Sequence, residues 1–435
     1  MSPTTLLDPR SAPELRAPEA GSRSPFRLVT QAVLFLALVA IWFTYTGGRS
    51  PWIELNLPGG VHGGNPASGY TSLYNGDFYH KENFYALQHI DLIKGNDASF
   101  QDRIGFCDRR MLYAVAGNVL TLLFSSYHAL RLVNLVMFLL CAEFVRRMTE
   151  LLFGDPDKGI LAAALFVFST MATVHVGDVS PHFVAFAFYY GWGILMVRLA
   201  MRAEPITWQE NLGHASLLGL WSLTYTSFAY GLAIYALLLA KRRQWPGIIA
   251  PALACFLMPT LQLLVVRWLG FGYSSDVEKA LMTRGLEMHL ENFRSGPLSY
   301  SLFLVVEFVN YLVNDNPLNV VVGLFALVSL KHRAKWVLWL LYLVPIAVVF
   351  PFIGTTTARG YVVAGNTIVL FPLAAHGFVE AGRWLQCRFG TAAPRVLVGF
   401  ALLLQIAWGQ GSLLEWHFPT GSYAMGIGKH LLIDR

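Results

Sequence analysis

Asp77 and Glu82 lie close together in the segment Gly69-Tyr-Thr-Ser-Leu-Tyr-Asn-Gly-Asp-Phe-Tyr-His-Lys-Glu-Asn-Phe-Tyr-Ala86. A carboxylate among aromatic rings is the group needed to take a proton from an acceptor hydroxyl. Lys81 offers a cation for a phosphate, while Asn75 and Tyr79 offer a hydrogen-bonding edge and a ring face for a sugar. The plainer reading is an exposed amphipathic helix from Asp77 to about Lys94, with Phe78, Tyr85, Ile90 and Leu92 near helical spacing. Its rings would then form an interfacial belt. Arg109 and Arg110 follow directly before an apolar stretch. Arginine suits bidentate phosphate binding, or else this pair anchors a surface helix to lipid headgroups.

Asp178 lies in the turn His175-Val-Gly-Asp-Val-Ser-Pro-His182. It could orient the base or position an acceptor beside His182, although Gly-Asp and Ser-Pro are also ordinary turn chemistry. These histidines lack the spacing of a His-Glu-x-x-His motif and there are no paired cysteines, so no metal or other cofactor is expected. Arg359, in Thr356-Thr-Ala-Arg-Gly-Tyr361, is a further candidate to neutralise phosphate or to snorkel to headgroups.

These residues need a scaffold, and composition says which. Of 435 residues, 55% are hydrophobic and 13% charged, with mean hydropathy +0.49. Soluble domains carry roughly a quarter charged residues, so the expectation is an integral membrane protein. Long runs of Leu, Ala, Val and Phe without dyad alternation favour helices over barrel strands. The fold class expected is all-α, polytopic, with about 11 transmembrane helices. These cover roughly 28–46, 128–145, 159–175, 182–200, 212–224, 228–241, 246–268, 317–330, 335–352, 364–382 and 395–410. Thr224-Tyr-Thr-Ser-Phe228 is a candidate break within the membrane.

Residues 1–27 read as a disordered cytoplasmic tail, and 28–435 as a single transmembrane domain with outer loops 47–127 and 269–316. With the N-terminus inside, eighteen basic and ten acidic residues collect on the cytoplasmic side, leaving the outer side slightly acidic. The net charge of +6 is therefore topology and gives no sign of nucleic-acid binding. Counting Ser299–Val313 as a span would reverse the side of Lys331–Lys335, so it is read as an amphipathic helix on the outer face. Cys107, Cys141, Cys255 and Cys387 imply no disulfide framework.

Tyr74-Asn-Gly-Asp-Phe-Tyr79 resembles the Tyr-Asp-Gly-x-Phe-Tyr box of a bacterial branch of the GT-C superfamily of polyprenyl-phosphate-sugar-dependent glycosyltransferases. Arg110-Met-Leu-Tyr113 is similar to its following Arg-Ile-Leu-Tyr-Pro segment, with Ala114 where proline is common. The resemblance implies a catalytic acid in the first outer loop and an inverting sugar transfer from a lipid phosphate, usually without metal. The position matching the family's Asp is Asn75, which cannot act as a base. Either Asp77 has taken the role, or the match is displaced, or catalysis is altered.

The function expected is transfer of a sugar from a polyprenyl-phosphate donor to a periplasmic glycan, glycolipid or protein acceptor, at the outer face of a bacterial inner membrane. Asp77 would be the base, assisted by Glu82 or Asp178, with Arg109, Arg110 and Arg359 on the developing phosphate charge. The alternatives are a transporter or flippase of lipid-linked glycans, or a non-catalytic subunit that binds lipid substrate. A transporter should carry ionisable residues within its spans, and the midsections here are nearly free of them.

Overall fold

The computed structural model describes residues 126–169, 182–224, 227–268, 290–312, 316–349 and 366–417, with residues 112, 116, 119, 120 and 287. Among them there are helices and no strands. In chain order these are α1 (Ser126–Phe153), α2 (Pro156–Val167), α3 (His182–Met201), α4 (Trp208–Ser222) and α5 (Phe228–Lys241). A 3-10 turn (Trp245–Ile248) leads into α6 (Ile249–Trp268), followed by α7 (Pro297–Leu312), α8 (Pro317–Ser329), α9 (Lys335–Val349), α10 (Thr367–Phe389) and α11 (Ala393–His417).

The expected helices correspond to these with shifts of a few residues at most ends. The larger departures are in α1, which runs eight residues past its expected end, in α2, which stops at Val167 rather than 175, and in α10 and α11, which continue to Phe389 and His417. The chain does break where Thr224 suggested: α4 stops at Ser222, and Thr224 turns back with its hydroxyl donating to the Trp221 carbonyl. The expected span 28–46 lies outside the described residues, and so does most of both long outer loops apart from 290–312.

Local chemistry explains the ends. Asp155 caps α2 by accepting from the Asp157 and Lys158 amides, with Pro156 at the first helical position. Thr207 and Glu210 form a reciprocal capping box on α4. Asn316 accepts from the Leu318 amide and Pro317 starts α8. Two connections need a left-handed residue, Gly154 (φ 64°) after α1 and Gly390 (φ 83°) after α10. Arg243 (φ 58°) takes that conformation after α5 with no such freedom.

Contacts fix the helix directions. Phe138 meets Phe183 and Phe144 meets Gly191, so α1 and α3 run parallel. The Trp192 indole donates to the Gly231 carbonyl, and Arg242 reaches the Leu199 carbonyl, setting α5 parallel to α3. Gly323 faces Leu370 while Gly377 faces Val322 and Ala326, making α8 parallel to α10. Helix α2 runs against α10, with Lys158 on Glu380 at one end and Phe166 on Phe371 at the other. The N-termini of α1, α3, α5, α8 and α10 therefore share one end of the bundle. The opposite end gathers the short charged turns at 154–155, 202–207, 242–244 and 331–334.

One core joins these helices, centred on α3 and the first half of α10, where Thr367 to Ala375 are all buried. Tyr189, Tyr190, Trp192, Trp221 and Tyr235 fill it with aromatic volume. Helices approach closely at small residues: a Cβ on Gly231 would lie 2.3 Å from the Trp221 ring, and one on Gly377 2.4 Å from Val322. Without a side chain at these positions the backbones can approach closely.

Two helices, Phe183–Met201 and Trp245–Gln262, are long and apolar enough to cross a membrane. The first is mostly buried; α6, which carries the second, packs chiefly against α4 and exposes Ile249, Leu253, Phe256, Leu257, Leu261, Leu264 and Val265. Exposed tryptophans bound that apolar face at both ends, Trp245 and Trp268. The stretch between them spans about 34 Å if helical throughout, close to the hydrocarbon thickness of a bilayer.

Candidate functional site

Nine of the ten residues singled out by sequence, Asn75, Asp77, Tyr79, Lys81, Glu82, Arg109, Arg110, Asp178 and Arg359, lie outside the described residues. His182 is the first residue of α3. The described residues show in detail the end of the bundle at which α1, α3, α5, α8 and α10 begin.

That end has a polar floor set inside the bundle. The Tyr190 hydroxyl, two turns into α3, hydrogen-bonds Thr367 at the start of α10. Helix α10 therefore begins about 12 Å below the start of α3, taking 1.5 Å per residue. Asn319, in the first turn of α8, donates to Gln405 Oε1 (2.6 Å), and Gln405 Nε2 donates to the Leu165 carbonyl (3.3 Å) near the end of α2. A mid-helix glutamine thus serves one of the carbonyls that the end of α2 leaves without an intrahelical partner.

Asn316 is 1% exposed; its Oδ1 caps α8 while its Nδ2 makes no hydrogen bond. Two parallel helix N-termini, α8 and α10, thus end in a buried neutral layer. Their dipoles favour a negative group at that depth. Sequence reasoning missed Tyr190, Asn319, Gln405 and Thr367. Their signal was slight: isolated amides and hydroxyls within apolar runs, which become a layer only once five helices are packed.

The opposite end holds the ion pairs of the described residues. Lys158 is 4% exposed, and its Nζ donates to Glu380 Oε1 (2.9 Å) and to His376 Nδ1 (3.0 Å). Lysine has only donors, so His376 must accept through Nδ1 and is neutral in this arrangement. Its ring stacks on Phe153, with centroids 4.1 Å apart. Arg383 closes the cluster on Glu380 (2.7 Å) and Asp155 (3.8 Å).

Nearby, Arg202 grips both oxygens of Glu210. Those bonds, with the Thr207 amide, hold the Glu210 carboxyl at about 2. Arg242 donates to the Leu199 carbonyl in the last turn of α3 and to the Arg202 and Glu204 carbonyls in the turn that follows. Burial lowers the Arg242 guanidinium's affinity for its proton. Burial likewise lowers His332, whose Nδ1 accepts from the Ala334 amide. These contacts tie helix ends together.

Among the described residues, no three His, Cys, Asp or Glu side chains are grouped to hold a metal ion. Cys141, Cys255 and Cys387 are free thiols, the first two buried. No family model matches the chain, and neither a curated protein nor a solved structure matches it.

Proposed function

We propose that the chain is a polytopic bacterial inner-membrane glycosyltransferase of the GT-C type, with about 11 spans and its N-terminus inside. It moves a sugar from a polyprenyl phosphate to a periplasmic glycan, glycolipid or protein. The observation that carries this reading is the Tyr74–Tyr79 box with Asp77, followed by Arg109 and Arg110, in the first long polar segment of an apolar chain. Asp77 accepts the acceptor hydroxyl's proton as the new glycosidic bond forms, and the polyprenyl phosphate leaves toward the arginines. Glu82 and Asp178 assist; Asn75, Tyr79, Lys81 and His182 line the sugar and acceptor, with Arg359 on phosphate.

Two features of the described residues support it. The ion-paired, arginine-rich turns share one end, as the positive-inside preference requires of a cytoplasmic face. The other end presents the N-terminal dipoles of α8 and α10 in a neutral buried layer, where a negative group is favoured. Helices α3, α5 and α8 carry no Asp, Glu, Lys or Arg before their last turn, which leaves a transport pathway without charged stations.

The test is sugar transfer by purified protein with Asp77→Asn, beside Asn75→Asp. Loss of about a hundredfold or more in Asp77→Asn, with retained substrate binding, is expected for removal of a general base. Full activity in Asp77→Asn would remove that residue from the mechanism. Binding without transfer in the unmodified protein would leave only the lipid-binding role.

A further inference from the structure

Helix α10 outgrows the bundle. Its last packed residue is Gly382, where a Cβ would meet Pro394 at 3.2 Å, and from Arg383 on most side chains are exposed until α11 returns. This projecting hairpin, turned at Gly390, carries Arg383, Arg388 and Arg395. No Asp or Glu occurs between Glu380 and Glu415. Trp384 and Phe389 are 55% and 72% exposed on the same tip.

The arginines are not equivalent. Arg383 is committed to Glu380 and Asp155. Arg388 lies over the Trp384 ring, 4.3 Å from its centroid, and neither it nor Arg395 meets a carboxylate among the described residues. A guanidinium held over an indole keeps N–H donors that can meet an oxyanion. The rim repeats the device on α5 and α9, where Lys241 sits 4.0 Å over the Trp336 ring. Exposed Trp208 and Trp245 lie at this same end.

We propose that the α10–α11 hairpin is a docking surface for anionic phospholipid headgroups of the adjacent leaflet, with the phosphate held by Arg388 and Arg395 and the ring of Trp384 at headgroup depth. Three observations select that occupant. The tip is basic without a compensating acid, it exposes the rings of Trp384 and Phe389, suited to the interface, and it lies at the end where the other basic turns gather. The inference rests on the membrane-spanning reading and is independent of glycosyl transfer.

The test uses the full chain in nanodiscs of phosphatidylcholine with spin-labelled phosphatidylglycerol or spin-labelled phosphatidylcholine at trace level. Electron paramagnetic resonance reads the motionally restricted fraction of each. The wild-type protein is expected to prefer phosphatidylglycerol. Arg388→Gln with Arg395→Gln is expected to lose about fivefold per arginine, the effect of one basic residue at an anionic surface. Arg243→Gln, at the same end but off the hairpin, keeps the preference.

An unchanged restricted phosphatidylcholine fraction in each variant shows that the bundle is intact and inserted. Absence of that fraction in the wild type refutes the spanning reading and the proposal with it. A normal fraction without phosphatidylglycerol preference refutes the hairpin alone, and leaves the tip to water or an acidic protein. Equal loss in Arg243→Gln also refutes it, since net charge would then suffice.

Discussion

Gly377→Ala tests the way α8 and α10 are held together. The new Cβ would stand 2.4 Å from Val322 Cγ1 and 3.3 Å from the Val322 carbonyl oxygen. An ordinary contact requires about 1 Å more, and helical valine has one strongly preferred χ1, so the side chain cannot rotate clear. Either the helices part or the backbone shifts, at about 1–3 kcal/mol for such overpacking. Replacing glycine by alanine within a helix gains up to about 1 kcal/mol, so the net expectation is destabilisation by about 1–2 kcal/mol.

The decisive measurement is a cycle with Val322→Ala, which removes the obstructing methyl. In that background the tightest remaining contact is 3.3 Å, and Gly377→Ala should become neutral or stabilising. A coupling of about 2 kcal/mol lies within the range for touching residues. The assay is unfolding in mixed micelles against SDS mole fraction, with Gly399→Ala as control because nothing lies within 4 Å of its Cβ. Equal destabilisation by Gly377→Ala in both backgrounds would refute the packing argument.

Three further outcomes can be read from unfolding measurements. Glu380→Ala should cost about 3 kcal/mol, because it leaves the buried Lys158 ammonium with a neutral His376 as partner; Lys158→Met should cost clearly less, since the half-exposed Glu380 keeps Arg383. Glu210 has its folded pKa pulled down to about 2 from 4.5, so its stabilisation is complete above about pH 5 and fades as pH falls toward 2. The wild-type advantage over Glu210→Gln in thermal midpoint should shrink across that window and hold steady above it. Arg243→Gly should stabilise by about 1 kcal/mol, by relieving a left-handed backbone at an exposed position.

The helices were legible because apolar run length is a local property. The runs beginning at 182, 228 and 317 are bounded by His182-after-proline, a polar break and Asn316-Pro317, and each forms a helix close to its expected limits. The extension of α10 to Phe389 was not legible. Its tail is polar enough to read as a loop, and only Gly382 against Pro394 and the turn at Gly390 show that it continues. The charged loops were legible as candidates for chemistry, since acid, base and ring types are fixed by the chain itself.

Residue type and periodicity alone determined that the described residues are helical and apolar, with short charged turns between helices, because these are set by near neighbours in sequence. Which polar groups meet was decided by tertiary packing. Asn319, Gln405 and Leu165 are scattered along the chain, and nothing local marks them as partners. The same holds for Lys158, His376 and Glu380, whose bond pattern requires a neutral histidine only once α2 and α10 lie antiparallel. A buried donor or acceptor must find its partner wherever the fold brings one, and that pairing is a property of the packed bundle.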